Sequence, residues 1–137
     1  MSISLTPRMK NWIEINGVHI AIATKTGFPT VIVADSSIVE DSTITILLKP
    51  SQIKQIESII SGNPYVAVAP GQLGAVRAPY QFKGFVNLYK EKLQIKVEEI
   101  YCTKPGAEAG IRMDTMGYES MKEYEESRWK DIMPPVR

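Results

Sequence analysis

The stretch Gly17–Val33 reads GVHIAIATKTGFPTVIV, two apolar runs separated by a short turn. The second run is rich in β-branched residues and follows the tripeptide Gly27-Phe28-Pro29. β-Branched residues favour strands, and proline is tolerated at the first residue of a strand. The stretch therefore predicts two strands joined by a tight turn, with the second strand continuing from Pro29 through PTVIVADSSIV.

The remaining patterns extend this pair into a β-rich protein. Further strands are predicted at STITILLK (42–49), YVAVAP (65–70), YQFKGFVNLY (80–89) and LQIKVEEIYCT (93–103), the last two as a hairpin across KEK. Helices are predicted after Thr6-Pro7, over PSQIKQIESII (50–60) with Ser51 as its cap, and over GYESMKEYEESRWKDI (117–132). Strands dominate and connections are short, so the predicted fold is mainly β (α+β), a small barrel with flanking helices.

Composition limits the classes of protein that the chain can belong to. Its 137 residues suit one domain over 1–137, and 44% hydrophobic with 23% charged residues is ordinary for a globular protein. A net charge of +1 gives no bulk attraction to nucleic acid or to an anionic membrane surface. No apolar run approaches the roughly 20 residues that span a bilayer, and the N-terminus lacks the apolar core of a signal peptide. We therefore expect a cytoplasmic protein that binds neither nucleic acid nor membrane.

Four stretches carry short motifs in a characteristic order. These are Gly-x-Pro in GVHIAIATKTGFPTVIV, Asn-Pro in PSQIKQIESIISGNPYVAV, a central glycine in YQFKGFVNLY, and Pro-Gly-x-x-Ala-Gly in VEEIYCTKPGAEAGIRM. Together they resemble the FMN-binding split β-barrel of the pyridoxamine 5′-phosphate oxidase-like superfamily, in particular its small prokaryotic members. The resemblance covers a core of about residues 5–113 and leaves a C-terminal helical tail, 114–137. It implies a six-stranded antiparallel split β-barrel that dimerises and holds FMN at the homodimer interface.

The resemblance also implies a function. An FMN-binding flavoprotein acts as an oxidoreductase or an electron carrier, because the flavin supplies the redox chemistry. The small-molecule substrate or redox partner is not identified by the sequence, and F420 or haem could stand in place of FMN. Oxidation of pyridoxamine phosphate itself is not expected, because the tail ends in MPPVR and lacks the Arg-His motif of those enzymes.

The phosphate of FMN is implied to lie where the third predicted strand meets the following helix. A helix N-terminus offers free N–H groups and a positive dipole to an anion. The positions that match are Lys49, Ser51, Gln52, Lys54 and Gln55, and Leu48 just before them is also expected to contact the cofactor. Ser51-Gln52 replaces the Lys-Thr pair that the family often has, so a second interpretation stays open. On that interpretation the helix is simply capped and solvated, with its lysines in water, and the barrel has lost flavin and serves as a binding or interaction module.

The flavin ring is implied to contact the end of the second strand. Val33, Ala34, Asp35 and Ser36 match the positions that flank the ring edge, although a strand end exposed to water fits the same residues equally well. Trp129 in the tail could pack over the flavin of the other subunit, as tail aromatics do in relatives.

No side chain is assigned a catalytic role, because no nucleophile–base pair or paired carboxylates stand out. His19 has no second histidine or cysteine at ligand spacing, so a half-buried structural residue is expected there and no metal site. Cys102, the only cysteine, is expected to pack as a small apolar group.

Overall fold

A computed structural model describes residues 3–24, 30–34, 37–71 and 78–129. In chain order, these ranges contain α1 (Pro7–Asn16), β1 (Val18–Ile22), β2 (Thr30–Ala34), β3 (Ser37–Glu40), β4 (Thr43–Leu47), α2 (Pro50–Gly62), β5 (Tyr65–Pro70), β6 (Tyr80–Tyr89), β7 (Lys92–Cys102), a short 3-10 turn (Asp114–Met116) and α3 (Tyr118–Arg128). None of these helices is both long enough and apolar enough to span a lipid bilayer.

The seven strands form one antiparallel sheet in the order β2-β1-β5-β6-β7-β4-β3. β2 and β3 are its two edges, yet Ala34 and Ser37 are only three residues apart in the chain. Three residues span at most about 11 Å, whereas the edges of a flat seven-stranded sheet would be about 29 Å apart. The sheet must therefore curl until its edges approach each other, which makes the fold an α+β split β-barrel, as predicted.

The stretch PTVIVADSSIV does not form one strand, which corrects the prediction and raises the strand number from six to seven. Thr30–Ala34 pairs with β1 at one edge of the sheet, and Ser37–Glu40 pairs with β4 at the other. A β-branched run indicates strand conformation but not the pairing partner, so the change of partner is invisible in the sequence. The predicted turn at Gly27-Phe28-Pro29 lies outside the described residues.

The barrel interior is filled by the alternate residues of each strand. In β7, for example, Leu93, Ile95 and Val97 are buried while the residues between them are exposed. Helix α1 adds the fully buried Met9, Trp12 and Ile13, which lie at the helical spacing noted in the sequence. Each such side chain contributes about 1.5–3 kcal/mol through its removal from water. The apolar periodicity thus produces the core directly.

Helix α3 packs against the barrel through four residues that we call the α3 dock: Thr6, Tyr80, Glu125 and Trp129. Glu125 is 3% exposed, and its Oε2 accepts hydrogen bonds from Thr6 Oγ1 at 2.8 Å and from the Tyr80 hydroxyl. Burial raises the pKa of the Glu125 carboxyl above its ordinary value, although both hydrogen bonds act in the opposite direction. The dock therefore connects the start of α1, the start of β6 and the end of the described chain.

Candidate functional site

Helix α2 begins one residue earlier than the predicted cap. The prediction that Ser51 caps the helix is wrong: the N-cap is Lys49, because Pro50 occupies the first helical position, where its missing N–H is not needed. The backbone N–H groups of Gln52 and Ile53 both donate to the Lys49 carbonyl, at 2.9 and 3.1 Å. Within the first turn, the Ser51 N–H is therefore the donor that the helix itself does not use.

The side chain of Gln52 connects this helix start to the edge strand β2. Its Oε1 accepts from the Lys49 N–H at 3.0 Å, and its Nε2 donates to the Val33 carbonyl, also at 3.0 Å. The second bond joins α2 to β2, an edge strand of the sheet. It brings together the two parts of the predicted cofactor site, and we call the resulting group the β2–α2 corner: Val33, Ala34, Leu48, Lys49, Ser51, Gln52, Lys54 and Gln55.

The corner combines apolar and cationic surface. Val33 is 59% exposed and its outward neighbour Val31 is 58% exposed, while Lys49, Ser51 and Lys54 also lie in solvent. Neither lysine ammonium group has a hydrogen bond or ion pair with any residue in the described part of the chain. Such a surface suits a molecule that has both a flat apolar part and an anionic part.

Two of the predicted contact residues face the core instead. Ala34 and Leu48 are 5% and 6% exposed, and each directly follows an exposed residue at the end of β2 or β4. Only their backbone groups could reach a ligand on the outer surface. Asp35 and Ser36 lie outside the described residues. Gln55 is exposed on α2, one turn beyond Ser51.

Trp129 is not part of the corner. Its ring is fully buried in its own chain, with its centroid 5.1 Å from that of Tyr80 and 5.6 Å from that of Tyr124. Its Nε1 donates to Glu108 Oε2 at 3.3 Å. The structure thus places Trp129 in the α3 dock, which differs from the implied position over a flavin of another subunit.

The sequence predicts a structural role, and no chemical one, for His19 and Cys102. His19 is exposed, which corrects the expectation of a half-buried residue, because its strand neighbours Val18 and Ile20 take the core positions. Cys102 is buried as predicted, and burial raises the pKa of its thiol. Over the described ranges, no three His, Cys, Asp or Glu side chains come together in a group that could hold a metal ion.

The structure exposes a set of apolar residues on β2, β3 and β4 that the sequence did not reveal as a set. We call it the edge patch: Val31, Val33, Ile38 and Leu47, which are 52–59% exposed. The signal that could have revealed it is alternation, since Val31 and Val33 flank the core residue Ile32. Exposed apolar surface on edge strands marks interaction surfaces in many proteins.

No protein-family model and no curated protein matches this chain. The curled sheet and its flanking helices nevertheless define a class, the α+β split β-barrels. Among solved structures, the chain is similar to HupZ of Group A Streptococcus, crystallised with V5 and hexahistidine tags, with a TM-score of 0.57 and 21% sequence identity. The match covers 77% of this chain and 99% of the HupZ chain, and it supports the fold.

Proposed function

We propose that the chain is a homodimeric flavoprotein that binds FMN at the β2–α2 corner and acts as an oxidoreductase or electron carrier. The observation that carries this proposal is the hydrogen bond from Gln52 Nε2 to the Val33 carbonyl. It holds an exposed apolar strand beside a helix start that carries two lysines. FMN has the matching chemistry, a flat ring and a phosphate.

The residues of the corner fit this group in part. Lys49 and Lys54 can provide charge-assisted contacts to a phosphate, and Ser51 can provide its hydroxyl and its backbone N–H. Val31 and Val33 offer apolar surface to the ring. Gln52 already uses its amide oxygen and one of its two Nε2–H groups within the chain, so only the second Nε2–H is left for a phosphate. When bound, the flavin would supply the electron transfer, and the protein would supply position and charge.

The edge patch supports the homodimer. Two-fold dimers are the commonest homo-oligomers, and such pairing would cover this surface. Sedimentation at micromolar concentration should give a dimer for the natural chain. Val33→Lys should shift the protein toward monomer without unfolding it, since the side chain is exposed. A monomeric natural chain would rule out an interfacial site.

Titration with FMN tests the cofactor directly. Flavin fluorescence should be quenched on binding, and riboflavin, which lacks the phosphate, should bind more weakly. Stopped-flow mixing of the loaded protein with NADH or NADPH then separates the activities: rapid bleaching supports a reductase, and no bleaching leaves a carrier or binder. If the protein responds spectrally to haemin and not to FMN, its cofactor is haem and the proposal of FMN is wrong.

A second function is supported by the first turn of α2. Pro50 has no N–H, the Lys49 N–H donates to Gln52 Oε1 and the Gln52 N–H donates to the Lys49 carbonyl, so this helix start offers an anion fewer donors than usual. On this basis the barrel could be a binding module that has lost flavin. A colourless protein that responds to neither FMN nor riboflavin would favour this second function.

A further inference from the structure

A cleft of about 360 Å³ lies on the outer face of the sheet, across β1, β5, β6 and β7. Its lining includes Ala21, Tyr65, Ala67, Lys83, Gly84 and Glu98. Asn63, at the C-terminal end of α2, also lines it. Ser51 lies at the other end of that helix, about 18 Å away at the helical rise of roughly 1.5 Å per residue. The cleft is therefore separate from the start of α2, where the phosphate is proposed to bind, although Ala21 is paired with Val31 on β2.

A β-bulge between β6 and β7 shapes this cleft. Lys83 pairs with Glu99 and Gly84 pairs with Val97, so Glu98 is an extra residue without a partner on β6. Both Val97 and Ile100 are buried, which leaves Glu98 and Glu99 together on the outer side. Bulges often redirect side chains in this way next to binding sites.

Gly84 is required by the same bulge. A Cβ atom at this position would lie 2.0 Å from the Lys96 carbonyl oxygen, a distance that no relaxation of a side chain can relieve, because the obstacle is backbone. The lining at this point therefore consists of bare backbone.

The cleft has a small-residue floor and an aromatic wall. Ala21 and Ala67 are paired across β1 and β5 and form the floor. Tyr65 is 58% exposed. The centroid of its ring lies 4.6 Å from the centroid of the Phe85 ring, and the two ring planes are inclined at 47°. Phe85 supports the Tyr65 ring, and a flat ring can lie on the two alanines beside it.

The charges at the rim are not equally satisfied. Glu99 accepts a hydrogen bond from the Tyr101 hydroxyl and lies 3.9 Å from Arg112 Nη1. Lys83 Nζ lies 4.8 Å from the centroid of the Tyr101 ring. Glu98, by contrast, has no side-chain hydrogen bond or ion pair with the residues that the structure describes. Of the two rim carboxylates, that of Glu98 is therefore the one left to attract a cation.

We propose that this cleft is a binding site for a small molecule that carries a flat aromatic ring and a protonated amine. The ring lies on Ala21 and Ala67 against Tyr65, and the ammonium group faces Glu98. This site goes beyond the proposed flavin site and does not depend on it.

Amide chemical shifts of the full chain, titrated with 2-phenylethylamine and separately with 2-phenylethanol, test the proposal. The amine should shift the amides of Ala21, Ala67 and Gly84 in the millimolar range and should bind more tightly than the alcohol. Because an exposed ion pair is weak, Glu98→Gln should reduce the affinity for the amine only by roughly two- to fivefold and leave the alcohol unaffected. Glu91→Gln, an exposed carboxylate on the β6–β7 turn, is the matched control and should change neither.

Tyr65→Ala should weaken both probes, since it removes the wall that they share. The proposal is overturned if neither probe shifts the cleft amides. Equal binding of amine and alcohol, with no effect of Glu98→Gln, would overturn the role of the ammonium group. Displacement of the amine by FMN would overturn the separation of the two sites. Flavin fluorescence shows separately whether FMN binds. If FMN does not bind, the proposed flavin site is wrong, but the chemical shifts caused by the amine should be unchanged.

Discussion

The α3 dock and the β2–α2 corner both place polar side chains between a helix and a strand, but they differ in exposure to solvent. In the dock, Glu125 is 3% exposed and both of its hydrogen-bond donors come from the chain itself. In the corner, Lys49 and Lys54 are exposed. A buried polar group must be satisfied within the fold, so it contributes to stability, whereas an exposed one stays free for a ligand. The dock should therefore respond to mutation in stability and the corner in binding.

The largest effect is expected from Trp129→Ala in the dock. Removing a fully buried tryptophan should lower the free energy of unfolding by about 3–5 kcal/mol, measured by urea denaturation. Tyr89→Ala is the matched control, because Tyr89 is 59% exposed, and its cost should be about 0.5 kcal/mol or less. Equal losses in the free energy of unfolding for the two variants would contradict the distinction between the α3 dock and the exposed surface.

Glu125→Ala should have the next largest effect on stability. The substitution leaves two buried hydroxyl donors, those of Thr6 and Tyr80, without their acceptor, at a cost of about 3 kcal/mol. Glu126→Ala removes the adjacent carboxylate, which is exposed, and should cost about 0.5 kcal/mol or less. FMN affinity should not change in either variant that remains folded.

Lys54→Ala tests the corner and should reverse this pattern. Loss of one charge-assisted contact should weaken the binding of FMN by about 1.5–3 kcal/mol, which is roughly a tenfold to hundredfold loss of affinity. Riboflavin affinity and the free energy of unfolding should barely change, and Lys92→Ala on β7 serves as the control lysine. If Lys54→Ala and Ser51→Ala both retain full FMN affinity, the phosphate does not bind at this helix.

The smallest effect concerns pH. Burial raises the pKa of Glu125, against the hydrogen bonds from Tyr80 and Thr6 and the nearby charge of Arg8, while Glu126 acts with burial. The folded state then holds this proton more tightly than the unfolded state. The resulting stability is present below the ordinary pKa and is lost as the pH rises through the folded-state pKa.

Glu125→Gln removes this titration and keeps an oxygen acceptor. Urea denaturation between about pH 4 and pH 7 should show stability that falls less with rising pH in the variant than in the natural chain. Identical pH profiles would mean that Glu125 has the same proton affinity in both states.

Much of the fold could be predicted because it follows from local periodicity. Met9, Trp12 and Ile13 predicted α1, and alternation predicted β4 and the β6–β7 hairpin. The division of PTVIVADSSIV could not be predicted, since both halves have the same strand propensity and differ only in their distant partners. For the candidate site, the sequence placed Lys49, Ser51 and Lys54 at a helix start, but the use of Gln52 within the chain was not foreseeable.

The sequence by itself determined most of the strands and helices and most of the core residues, because spacings of 2 and about 3.6 residues dictate which side chains share a face. Only the tertiary structure decided that β2 and β3 become the two edges of one curled sheet, that Trp129 enters the core, and that Glu98 faces outward beside Gly84. Each of these depends on contacts between residues far apart in the chain, and the register of strand pairing that sets them leaves no local trace in composition or periodicity.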